Sequence, residues 1–171
     1  QDVTVKGSSK LTARLYGAEP IKTPFGQGLA FTGEKPYLEL KGLQWPESAC
    51  TIAMRLKRGK PSESKAFNAM PYKFAMTMRR NQMFIASYHR SPDVVSFNGG
   101  KEIADGQWFD LAVTFGEKVQ VYIDGKLVSS CVVDPIAEDW NTTPHPSSML
   151  FMENEKDGQL DEVRVYNRVL S

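Results

Sequence analysis

The sequence is poor in the residues on which most catalytic and metal centres draw. It has two histidines, too few for a histidine-based metal cluster, and neither stands beside a serine or cysteine in a nucleophile motif. The two cysteines, Cys50 and Cys131, lie far apart and in no metal-binding spacing. Each falls in a strand-like run, so two buried thiols and one disulfide both stay open. No glycine-rich phosphate loop occurs, and no apolar run approaches the ~18 residues that a membrane-spanning helix needs. Charge of neither sign dominates: 21 Lys and Arg against 20 Asp and Glu leave a formal net charge of +1. No overall field therefore recruits nucleic acid or an anionic membrane. The one locally basic stretch, "RLKRGKPSESK" (Arg55 to Lys65), reads as a solvated loop.

What is present is a succession of short apolar or alternating runs. At 171 residues and 41% hydrophobic, the chain suits one domain with a core of its own. Strands are expected in "LTARLYG", "GLAFT", "PYLEL", "CTIAMRLK", "YKFAMTMRR", "QMFIASYH", "VVSFN", "QWFDLAVTF", "KVQVYID", "KLVSSCVV", "SMLFM" and "QLDEVRVYN". Gly or Pro punctuates most intervals, and no long segment keeps a helical period. That pattern predicts an all-β antiparallel sandwich. In "LAVTFGEKVQVYIDGKLVSS", Leu111, Val113 and Phe115 share a face, "GEK" turns the chain, and Val119, Val121 and Ile123 continue the apolar face. Asp124-Gly125 then makes a second tight turn. Pro135 to Pro146 is the longest stretch without strand character and reads as a surface loop.

Carboxylates are the remaining chemical candidates. Glu153, Glu155 and Asp157 would share a face on a strand, but Lys156-Asp157-Gly158 reads as a turn, so the group is expected to be solvated rather than catalytic. In the closing "GQLDEVRVYNRVLS", alternation puts Asp161 in line with Val163 and Val165, opposite Glu162, Arg164 and Tyr166. A carboxylate on an apolar face needs either water or a partner.

With these strands placed, the sequence resembles a laminin G-like jelly roll of the concanavalin A-like lectin and glucanase superfamily. "FGQGLAFTGEKPYLEL" is similar to that family's opening, where a strand ends in Phe-Asp-Gly before a Tyr-containing strand. "CTIAMRLK" resembles its next strand, "GQWFDLAVTFGEKVQVYIDGKLVSS" its Trp-containing strand and Tyr-Val-Asp-Gly hairpin, and "GQLDEVRVYNRVLS" its closing strand. Thr32 replaces the usual Asp of Phe-Asp-Gly, Cys50 a core Phe, and Arg55 a common Trp; the last two are expected to alter packing alone.

The resemblance implies a concanavalin A-like jelly roll spanning residues 1–171 as a single domain, excised from a longer exported protein that is secreted, periplasmic or at the cell surface. It also implies a structural calcium held by Asp161 and by backbone carbonyls around Gly33, in the Phe31-Thr32-Gly33 turn, with Asp161 at least half buried. Trp108, in the family's Trp-containing strand, is expected in the core. Glycan contacts are then sought in loops, at Tyr88, Arg90 and Trp140. The expected function is a non-catalytic, lectin-like module binding a glycan or polysaccharide. A protein-binding adhesion or assembly domain is the alternative, and a glycan hydrolase or lyase has the least support, for want of paired carboxylates on a strand.

Overall fold

A computed structural model of the chain describes residues 11–43, 49–59, 63–70, 74–79, 82–87, 94–97, 105–132 and 148–170. They contain fourteen strands: β1 (Thr12–Tyr16), β2 (Ala18–Thr23), β3 (Gly26–Phe31), β4 (Tyr37–Lys41), β5 (Cys50–Lys57), β6 (Glu63–Met70), β7 (Phe74–Arg79), β8 (Gln82–Ser87), β9 (Val94–Phe97), β10 (Trp108–Phe115), β11 (Lys118–Ile123), β12 (Lys126–Val132), β13 (Ser148–Glu153) and β14 (Gln159–Tyr166). No helix occurs among the described residues.

The strands form two seven-stranded sheets, in the orders β1-β4-β13-β6-β7-β8-β9 and β12-β11-β10-β5-β14-β3-β2. Neighbours within each sheet run antiparallel, as the alternation predicts. The expected double hairpin is present. Leu111 pairs Ile123 and Phe115 pairs Val119 across the first turn. The second turn uses Asp124 and Gly125 at φ 50° and 72°, the left-handed pair that a two-residue hairpin requires.

Side chains alternate so that Ile52, Met54 and Leu56 of β5 and Leu111, Val113 and Phe115 of β10 point between the sheets, against Phe31, Phe67, Phe151, Met76, Met78 and Met149. Phe67 and Phe115 meet edge to face across the interior, with centroids 6.4 Å apart. Each such ring contributes about 1.5–3 kcal/mol by leaving water. Met76 and Met78 are fully enclosed, which fits their expected role as core filling. Cys50 is a free, buried thiol, and burial pushes its pKa up to about 12. It is therefore a small hydrophobe here and a poor nucleophile.

Two strands escape the sequence reading. β2 contains Pro20, which argues against a strand, but β2 lies at the edge of its sheet, where a residue without an N–H is tolerated. β6 has charged residues at its start and a register shift between Lys65 and Phe67, so its alternation is broken. The basic stretch Arg55 to Lys65 is correspondingly not all loop: its two ends lie within β5 and β6. The expected surface loop from Pro135 to Pro146 lies outside the described residues.

Candidate functional site

The closing strand sets the geometry of the outer face. Asp161 of β14 pairs with Arg55 of β5, whereas Arg164 pairs with Ala53. Three steps on β14 thus match two on β5, which is a β-bulge of one residue. Glu162 takes up the extra length at φ 50°. The bulge reverses the phase of alternation, so the expected grouping of Asp161 with the valines is corrected. Asp161 lies on the outer face beside Arg55, while Val165 sits opposite core-facing Ile52 and Val163 packs against the core.

Asp161 is nevertheless 7% exposed, because the β2–β3 hairpin folds over it. The Thr23 hydroxyl donates to its Oδ2. Room for the carboxylate comes from Gly28: a Cβ there would lie 3.5 Å from Asp161 Cγ, and 2.5 Å from the Leu160 carbonyl. The positive charge facing Asp161 is the Arg55 guanidinium, whose protonated form is favoured first by its hydrogen bonds to Asp110 and further by Glu162 and Asp161.

Arg55 is the hub of this face. Its Nε and Nη2 donate to the two oxygens of Asp110 at 2.7 and 3.3 Å, and its Nη1 lies 3.7 Å from Glu162. Its guanidinium stacks 4.0 Å above the Phe25 ring. Asp110 is fixed in turn, since its N–H donates to Asp124 and its carbonyl accepts from the Asp124 N–H. Glu162 also meets Arg164 at 3.3 Å.

Beside this hub, four strands align three cross-strand rows on the outer face. One row is Asp161, Arg55 and Asp110; the next is Arg164, Ala53, Ala112 and Tyr122; the third is Tyr166, Thr51, Thr114 and Gln120. Small residues in the middle of the second row, flanked by long ones, leave a trough. Its volume is about 440 Å³, and Leu170 closes part of the far end. Thr51 holds that end by donating to the Arg168 carbonyl and accepting the Leu170 N–H. The volume falls in the range of small-molecule sites.

Trp108 corrects another expectation. It is on the outer face of β10, opposite Lys57, and is only partly buried. Its ring meets Phe25 edge to face at 5.5 Å; Phe109 takes the core position instead. Trp108→Ala is accordingly expected to lower stability by about 1–2 kcal/mol, not the 3–5 of a buried ring. Urea denaturation checks this.

The acidic group before β14 also differs from expectation. Glu155 is 0% exposed, not solvated. Its carboxylate accepts the Gly59 N–H at 2.6 Å and the Ser64 hydroxyl. Burial raises its pKa, and the Ser64 and Gly59 hydrogen bonds and the Arg58 charge oppose that rise. Glu153 bonds Asn68 and pairs with Lys65, while Asp157 is exposed. The three carboxylates do not make a catalytic cluster; Glu155 braces a turn.

The residues expected to hold calcium are not brought together. The β14–β3 register pairs Leu160 with Leu29, so Asp161 sits beside Gly28, about 10 Å along the strand from Phe31. The turn's N–H groups are spent elsewhere: Phe31 donates to Gly158, and Thr32 and Gly33 donate to Gly17. The Asp161 carboxylate faces Thr23 and Arg55 instead of the Phe31–Gly33 backbone. No group of three or more His, Cys, Asp or Glu placed to hold a metal ion occurs among the described residues, and Asp161 with Gly33 does not fit a shared oxygen cage. The expected glycan contacts Tyr88, Arg90 and Trp140 lie outside the described residues.

The sequence matches a family model described as the concanavalin A-like lectin/glucanases superfamily over residues 32–171. No curated protein matches it. Among solved structures, the fold is similar to the binding domain of botulinum neurotoxin serotype D, with a TM-score of 0.72 at 12% identity, covering 94% of this chain and 44% of that one. It is similar to the binding domain of Paraclostridial Mosquitocidal Protein 1, with a TM-score of 0.69 at 14% identity, covering 94% and 45%. It is also similar to domain 4 of AbnA, a GH43 extracellular arabinanase from Geobacillus stearothermophilus solved with arabinotriose, with a TM-score of 0.68 at 16% identity, covering 94% and 84%. The chain spans less than half the length of the two toxin domains. At these identities the likeness is one of fold.

Proposed function

The chain belongs to the concanavalin A-like lectin/glucanases superfamily, and from that premise we propose that it is a non-catalytic carbohydrate-binding domain whose glycan lies in the outer trough. The trough itself carries the reading. Its floor of Ala53 and Ala112 lets a flat ring approach the sheet, and Tyr122 and Tyr166 offer aromatic faces with a polar tip. Asp110 and Glu162 accept hydrogen bonds, and Arg55 and Arg164 donate them, around the rim. Domain 4 of the arabinanase, solved with arabinotriose, lends the glycan class support, since the fold alone hosts many functions. Against catalysis, Asp110 and Glu162 both engage the same guanidinium. That arrangement holds charge in place; it does not set an acid and a nucleophile on opposite sides of a glycosidic bond.

Ala112→Leu fills the trough from an outward position. It is expected to weaken polysaccharide binding by about tenfold or more, read by affinity electrophoresis and calorimetry, with the melting temperature nearly unchanged. Tyr88→Ala, Arg90→Ala and Trp140→Ala test the contacts expected from the sequence in parallel. Loss confined to those three variants places the ligand at those residues and not in the trough. Capture of a protein partner with no affinity for any polysaccharide replaces this reading with the adhesion role, and steady release of reducing ends removes the non-catalytic claim.

A further inference from the structure

Resting on the carbohydrate reading, we infer that the trough selects neutral oligosaccharides over acidic ones, and that the Thr114 hydroxyl is one of its contacts. The charges lining the trough cancel locally: Arg55 and Arg164 stand against Asp110 and Glu162. Their bonding is internal. Two donors of Arg55 go to Asp110 and a third faces Glu162, while Arg164 meets Glu162 and is bonded to Tyr166. A ligand carboxylate or sulfate has to displace one of these partners, and it then lies beside Asp110 and Glu162, with Asp161 behind Arg55. Like charges at that range repel. A neutral hydroxyl does neither: it donates to a carboxylate oxygen and accepts from a guanidinium without separating the pair, gaining charge-assisted hydrogen bonds.

The far end of the trough carries no charge and holds two hydroxyls beside Leu170. Thr51 and Thr114 pair across β5 and β10, and Thr51 is satisfied by the Arg168 and Leu170 backbone. Thr114 differs. It is 2% exposed, it lines the trough, and its Oγ1 has no hydrogen-bond partner. A buried hydroxyl left unpaired is costly, and a sugar hydroxyl seated in the trough that Thr114 lines would supply the missing partner. The two ends together describe a ligand rich in hydroxyls and free of ionised groups.

The test is calorimetry with the unmodified domain and size-matched neutral and uronic-acid oligosaccharides, in about 50 mM and about 300 mM NaCl. Neutral ligands are expected to bind about tenfold more tightly, with less than about twofold change across the salt range. Thr114→Val keeps the shape and removes the hydroxyl. It is expected to weaken neutral-ligand binding by about fivefold while leaving the melting temperature equal or higher. A purely structural Thr114 leaves affinity unchanged and so removes it as a contact. Tighter binding of uronic-acid ligands, falling steeply with salt, overturns the neutral preference while the carbohydrate reading stands. No binding to either class defeats both.

Discussion

Glu155→Ala is expected to destabilise the domain by about 3–5 kcal/mol, measured by urea denaturation at neutral pH. The carboxylate is wholly enclosed and accepts from the Gly59 N–H and the Ser64 hydroxyl. Alanine leaves both donors stranded and opens a void beneath the turn. No movement of Gly59 repairs this, because that residue is pressed against the turn: a Cβ on it would lie 2.0 Å from the Lys156 carbonyl. Glu155→Gln is expected to cost about 1 kcal/mol or less, since its carbonyl still accepts from Gly59 and Ser64 can turn to accept from the amide. The parent and the Gln variant also separate by pH. Burial raises the Glu155 pKa above its ordinary 4.5, so the folded state binds this proton more tightly than the unfolded chain does. That contribution to stability is complete below about 4.5 and is lost as pH rises through the higher folded value. The stability gap should therefore move in favour of the Gln variant between acidic and neutral pH. A gap that moves the other way, or an Ala variant as stable as the parent, contradicts the buried-brace role.

The brace was hidden in sequence because its partners are remote. Glu155 and Gly59 stand 96 residues apart, and the neighbours Lys156 and Asp157 are exposed, so local composition reads as a wet turn. The strand pattern, by contrast, was legible wherever alternation ran unbroken, as in β5, β10 and β11. That same alternation already held the outer face. In "WFDLAVTF", Trp108 shares parity with Asp110, Ala112 and Thr114 and opposes Leu111 and Val113, so a core position for Trp108 contradicts the strand's own phase. In "CTIAMRLK", Arg55 shares parity with Thr51 and Ala53. What alternation could not supply was the register that sets Arg55 against Asp110 and Ala53 against Ala112. Nor could it show the bulge, because a Glu at positive φ follows no residue preference. A single misplaced residue there turned the Asp161 puzzle inside out: the carboxylate is not on the apolar face at all.

Its true surroundings set the second large effect. Arg55→Met is expected to cost about 2–3 kcal/mol, by the same denaturation measurement. Methionine keeps a flexible apolar stem over the Phe25 ring but removes the cation that faces Asp161, Asp110 and Glu162. Asp110 and Glu162 are exposed enough, with side chains at 55% and 41%, for water to screen most of their loss. Asp161 is not; 7% exposed beneath the β2–β3 hairpin, it is left with the Thr23 hydroxyl and two neighbouring negative charges. The deficit should therefore reside mainly in that one carboxylate. Asp161→Asn alone is expected to cost about 1 kcal/mol, because its carbonyl still accepts from Thr23. Added to Arg55→Met, the same change should restore about half of what the first substitution lost, so that the double variant loses less than the sum of the two single losses and the coupling energy differs from zero. Additive losses in the double variant would mean that Asp161 owes nothing to Arg55 and that hydrogen bonding from the hairpin alone keeps a buried charge in place.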